Sequence, residues 1–102
     1  MMETVIYNTL KEEKERNLQR QEVYKREIES LRKGSLITKT VSGKPYYYLK
    51  YRQGNDVIDE YIGNDENKVE KIKREIGRRK YLRGVVKRLE IEYKQISKIV
   101  KE

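Results

Sequence analysis

With 102 residues, 35% of them apolar and neither Phe nor Trp present, the chain forms one domain at most and lacks the bulk for a large globular core. It has no Cys and no His, which excludes disulfides, thiolate zinc sites and imidazole acid–base chemistry. Charged residues make up 41% of the chain and leave a net charge of +8, a balance that suits long solvated helices and an anionic partner.

Residues 3–33 predict a first helix. Glu, Lys, Arg and Gln dominate, and no Gly or Pro interrupts before Gly34. Val5, Ile6 and Leu10, then Leu18, Tyr24, Ile28 and Leu31, mark an apolar stripe near the 3.6-residue period. Lys14 stands where the stripe should continue, so the first turns are expected to fray. Gly34, after Arg32 and Lys33, reads as the C-terminal stop. Residues 1–34 carry eight basic and seven acidic side chains, which reads as solvated surface.

Residues 35–63 predict a three-stranded antiparallel meander. A β-branched run at 36–41 leads to a turn at Ser42, Gly43, Lys44 and Pro45. The central strand is 46–52, and Gln53, Gly54, Asn55 and Asp56 form a tight hairpin turn. The third strand is 57–62, closed by Gly63. Alternation places Leu36, Tyr47, Leu49, Tyr51, Ile58 and Ile62 on one face with Thr38, Thr40 and Glu60. Lys39, Tyr46, Tyr48, Lys50, Arg52, Asp59 and Tyr61 share the other with Ile37, Val41 and Val57. The first face should pack on a helix, and the second should be wet, aromatic and net basic.

Residues 65–101 predict a second, longer helix capped by Asn64 or Asp65. Val69, Ile72 and Ile76 open its stripe, and Leu82, Val86, Leu89, Tyr93, Ile96 and Val100 continue it. That tail stripe reads as core within the chain, with a homodimer seam as the alternative. Gly77 and Gly84 each cost about 1 kcal/mol relative to Ala inside a helix. They are expected to mark a close backbone approach or a bend. The predicted fold is α+β in a single domain: long helix, three-stranded meander, long helix. The helices would pair antiparallel, capped by the small sheet.

The positive charge is concentrated. Lys71, Lys73, Arg74, Arg78, Arg79, Lys80, Arg83, Lys87 and Arg88 face only Glu75 across residues 71–88, a local net of +8. A solvated helix face would carry acidic partners at helical spacing, so this window reads as phosphate-binding. With the wet face, it makes Lys39, Tyr46, Tyr48, Lys50, Arg52 and Tyr61 the other half of one site, at the junction of sheet and second helix. The competing reading of the tyrosines is that they are good strand formers on a half-wet face, with Lys50 in an ordinary cross-strand pair with Asp59.

The run Lys39-Thr-Val-Ser-Gly-Lys-Pro-Tyr-Tyr-Tyr-Leu, then Arg52-Gln-Gly-Asn-Asp-Val, then Tyr61-Ile-Gly, opened by Gly34-Ser-Leu, resembles a recurrent meander. It looks like the N-terminal module of certain insertion-sequence DDE transposases. It is also similar to a family of small uncharacterised proteins from Firmicutes and their mobile elements. More loosely it resembles the arm-site DNA-binding domain of tyrosine integrases, whose sheet face contacts DNA. That likeness implies a contact role for Lys39, Tyr46, Tyr48, Lys50, Arg52 and Tyr61. No catalytic domain follows the meander, so transposase activity is not implied.

These features point to a small, non-enzymatic nucleic-acid-binding protein of a bacterium, phage or mobile element, with DNA ahead of RNA. No paired carboxylates and no Gly-rich phosphate loop support catalysis, and no metal or cofactor is expected. One alternative is an interaction protein that docks on an acidic protein or a nucleoprotein machine such as a host defence complex. Another is a coiled-coil structural protein. No apolar run approaches a membrane span and no signal-peptide core opens the chain, so a cytoplasmic protein is expected.

Overall fold

The structure, a computed structural model, describes residues 2–101, with side chains from residue 4 onward. Five elements follow in order: α1 (Met2–Ser30), β1 (Ser35–Val41), β2 (Lys44–Gln53), β3 (Asp56–Gly63) and α2 (Glu66–Ser97). The architecture is α+β, with one antiparallel sheet in the order β1-β2-β3. Two compact units divide the chain: a sheet unit, Leu31–Lys80, and a helical unit, Met1–Ser30 with Tyr81–Glu102.

The sheet unit is built by local chemistry. Ser42 and Gly43 form the first two-residue turn with φ of 52° and 80°. Positive φ at both central positions is what a type I′ hairpin needs. In the second turn only Gly54 is positive, at 62°, which makes a type II′ turn with Asn55 in the ordinary region. Pro45 lies in the central strand opposite Thr40. It is tolerated there because β3 ends opposite Tyr47, so no third strand pairs where the proline lacks its N–H.

The register keeps the predicted faces: Leu49 pairs with Leu36 and Glu60, and Tyr48 pairs with Ile37 and Tyr61. Tyr47 pairs with Gly63, so the ladder shifts between Tyr47 and Tyr48 and Ile62 becomes the extra residue of a bulge. Leu49, Ile62, Val69 and Ile72 are buried together, with Leu36, Tyr47, Tyr51 and Ile76 packed around them. The first turns of α2 therefore cover the Leu49 face, and each fully buried aliphatic side chain contributes about 2 kcal/mol. Asp65 caps α2: its Oδ1 accepts from the N–H of Asn67 at 2.9 Å and of Lys68 at 3.3 Å.

The helical unit departs from the predicted stripe. Val5, Ile6 and Leu18 are exposed, while Asn17 is only 1% exposed and Gln21 is buried. The inward positions of α1 run Leu10, Lys14, Asn17, Gln21, Tyr24 and Ile28, in alternating steps of four and three. The polar members bury because they are hydrogen-bonded. Asn17 Nδ2 donates to the Leu89 carbonyl at 2.9 Å, and Gln21 Nε2 donates to Asn17 Oδ1 at 2.7 Å. Lys14 does not interrupt the helix either. Its Nζ donates to the Val100 carbonyl at 2.9 Å and lies 5.3 Å from the centre of the Tyr93 ring. The pairings of Lys14 with Tyr93 and of Asn17 with Leu89 run antiparallel.

Asn17→Ala would leave the Gln21 donor unpaired in the core and is expected to cost about 2 kcal/mol in urea denaturation. The double variant Asn17→Leu/Gln21→Leu removes both polar side chains, so a loss as large as that of Asn17→Ala would show that the unpaired donor is not what destabilises the single variant.

Leu82, Val86, Leu89 and Val100 are buried within the single chain. Four of the six residues of the tail stripe are therefore core, and Tyr93 and Ile96, the other members of the homodimer seam through Leu82, Val86, Leu89, Tyr93, Ile96 and Val100, are half-buried. Both helices stop early. α1 ends at Ser30, whose Oγ donates to the Glu27 carbonyl at 2.6 Å, and Arg32 is released from the helix. α2 ends at Ser97, after which Val100 turns inward and its N–H donates to the Ile96 carbonyl at 2.8 Å.

Helix α2 is unbroken across Gly77 and Gly84, and a Cβ at either would meet nothing within 4 Å. The close approach expected there does not exist. Gly77→Ala and Gly84→Ala should each stabilise the chain by about 0.5–1 kcal/mol. A fall in the urea midpoint of either variant would show that its glycine is needed by the fold.

Candidate nucleic-acid interface

The outer face of the sheet is the one turned from α2. Three rings cluster on it: Tyr48 and Tyr61 lie 5.3 Å apart edge-on, and Tyr46 and Tyr61 lie 6.3 Å apart, tilted by 32°. Tyr61 is the most open of the three, at 57% exposed. Lys39 Nζ sits 4.4 Å from the centre of the Tyr48 ring, and Lys50 is 4.0 Å from Asp59. Both side chains that sequence placed opposite each other, Lys50 and Asp59, are thus a cross-strand pair, an interaction worth little at this exposure. Arg52 extends from the same face near the second turn.

Lys44 belongs to this face as well. It pairs with Val41 at the start of β2, in line with Tyr46 and Tyr48, and it is exposed. Sequence assigned it to a turn and missed it, although its even number shares the parity of Tyr46, Tyr48, Lys50 and Arg52. The outer face then holds Lys39, Lys44, Lys50 and Arg52 around three tyrosines, against Asp59.

The basic run of α2 does not join this surface. Val69 and Ile72 are buried against Leu49 and Ile62, so the helix sits on the opposite face of the sheet. At 100° per residue, Lys71, Arg74 and Arg78 fall on the side of the helix away from the sheet, and all three are exposed. Lys73 lies at the flank, 3.4 Å from Glu70 and 5.8 Å from the centre of the Tyr47 ring. Arg79 is half-buried and Lys80 exposed. Arg83, Lys87 and Arg88 are exposed members of the helical unit. The single clamp at the junction of sheet and helix is therefore replaced, in the sheet unit, by two basic surfaces back to back.

The charge is uneven between the units. Leu31–Lys80 carries thirteen basic and seven acidic side chains, a net of +6, while the rest of the chain carries twelve and ten, a net of +2.

One inner-face cation is structural. Arg32 Nη2 donates to Glu60 Oε1 at 2.6 Å, which ties the chain after α1 to the third strand. The hydrogen bond that Arg32 donates to Glu60 raises the Arg32 pKa above its ordinary value, against partial desolvation. Among the described residues no three His, Cys, Asp or Glu side chains stand together as a metal site would require. No helix among them is long and apolar enough to cross a membrane.

The fold and this face define a small α+β module with a basic, tyrosine-bearing sheet. A family profile described as a domain of unknown function (DUF6788) matches residues 10–74, and the chain belongs to that family. The match takes in the whole meander, most of α1 and the start of α2. No curated protein and no solved structure matches the chain.

Proposed function

We propose that the protein is a small, non-enzymatic nucleic-acid-binding protein, with DNA ahead of RNA as its ligand. The observation that carries this reading is the outer sheet face, where Lys39, Lys44, Lys50 and Arg52 surround Tyr46, Tyr48 and Tyr61 with only Asp59 to oppose them. Cations supply phosphate contacts, which set affinity without reading sequence. Exposed rings supply base stacking, which is worth about 1–3 kcal/mol per base on a single strand. The basic segment of α2 adds long-range attraction for a polyanion. The meander's likeness to transposase modules supports an origin in a mobile element or phage.

The test is fluorescence anisotropy at low salt with duplex DNA, single-stranded DNA and RNA. Binding to at least one of these is expected, and failure of all three ends the reading. Tyr61→Ala separates the modes. It should weaken single-strand binding by about tenfold if the ring stacks on a base, and barely change duplex binding, where phosphate contacts dominate.

A further inference from the structure

We infer that the sheet unit carries two separate nucleic-acid contact surfaces on opposite sides, and that one molecule can hold two duplex segments at once. The inference rests on the nucleic-acid reading above and adds a partner geometry to it.

The argument comes from how the sheet and helix stack. Val69, Ile72 and Ile76 turn one side of α2 to Leu49 and Ile62, so that side is spent on the core. Lys71, Arg74 and Arg78 project from the far side of the helix. Lys39, Lys44, Lys50 and Arg52 project from the far side of the sheet, one layer away in the other direction. A straight duplex is a stiff rod over tens of base pairs and does not wrap a body this small without a bending cost of several kcal/mol. It therefore meets one surface and leaves the other open.

The second surface is not neutralised from within. Among the described residues, Lys44, Arg52, Lys71 and Arg74 are exposed and have no ion-pair or hydrogen-bond partner. A surface cation with a carboxylate at hand would have its field cancelled locally. Here Lys44 and Arg52 on one face, and Lys71 and Arg74 on the other, keep theirs, and a second polyanion is the partner whose charge matches.

The experiment uses the full chain, one duplex immobilised on beads and a second duplex carrying a fluorophore. Retention of the labelled duplex reports bridging, and protein on the beads reports binding. The variants are K44E/R52E on the sheet face and K71E/R74E on the helix face, each checked for folding by circular dichroism and urea midpoint. Wild type should retain the labelled duplex. Each double variant should still bind the beads, with affinity reduced by no more than about tenfold, and should lose most of the retention.

Binding by wild type without retention overturns the inference and leaves the nucleic-acid reading standing. So does a split in which one double variant loses all binding and the other bridges as well as wild type, because one site and self-association then explain the bridging. If wild type does not bind the beads, the nucleic-acid reading fails and takes this inference with it.

Discussion

Gly34→Ala is expected to destabilise the sheet unit by about 3 kcal/mol or more, enough to unfold much of the population of a marginally stable chain. Two costs combine. Gly34 has a φ of 121°, a region that side chains with a Cβ rarely occupy. A Cβ there would also overlap the Lys50 carbonyl oxygen, which belongs to strand backbone and cannot swing aside, and would lie 3.0 Å from the Tyr51 Cβ. Gly43→Ala provides the comparison, because Gly43 has a φ of 80° but open space around it. It should cost only about 1 kcal/mol. Equal urea midpoints for the two variants would show that the contact with Lys50 does not matter. The consequence reaches the proposed site. Gly34 sets the entry to β1, and displacing β1 shifts Lys39 from Tyr46 and from the Tyr48 ring, so the variant should lose nucleic-acid affinity along with stability.

Affinity for duplex DNA is expected to fall roughly 150-fold between 50 and 200 mM monovalent salt, if four cations of one face neutralise about four phosphates. The slope of log K against log salt would then be about −3.6. K44E/R52E should flatten it, because contacts on the sheet face are lost and binding falls to the fewer cations of the helix face. The sign is fixed by mass action: released cations are products of binding, so added salt drives the complex apart. A slope near zero in wild type would mean that the lysines and arginines are not meeting phosphate. An unchanged slope in K44E/R52E would move the contact away from the outer sheet face.

The meander was legible from sequence almost residue by residue. Gly43 and Gly54 mark both turns, and strict alternation sorts Tyr46, Tyr48 and Tyr61 from Tyr47, Leu49 and Tyr51 before any packing is known. These are local rules with a period of two, and a buried face on one side holds the register firm. The cap was narrowed to Asn64 or Asp65 for a similar reason, and Asp65 is the one that satisfies N–H groups two and three residues away.

The helices were less legible. In α1 the sequence shows Leu18 as a stripe member and says nothing of Asn17, yet Asn17 is buried and Leu18 is open. Composition cannot see this, because Asn17 and Gln21 are admitted to the core only by each other and by the carbonyl of Leu89, dozens of residues away. Lys14, likewise, looked like a fault in the stripe until Val100 and Tyr93 were brought beside it.

The same division separates what was known of the site from what was not. Residue order and periodicity were enough to establish the elements, the membership of each sheet face and the excess of cations after residue 70, because each depends on near neighbours in the chain. They left open which helix covers the Leu49 face. Tertiary packing decided that, seating Val69 and Ile72 on Leu49 and so turning Lys71 and Arg74 away from Lys44 and Arg52. Periodicity reports which residues share a face, but only burial against a partner tells where that face points.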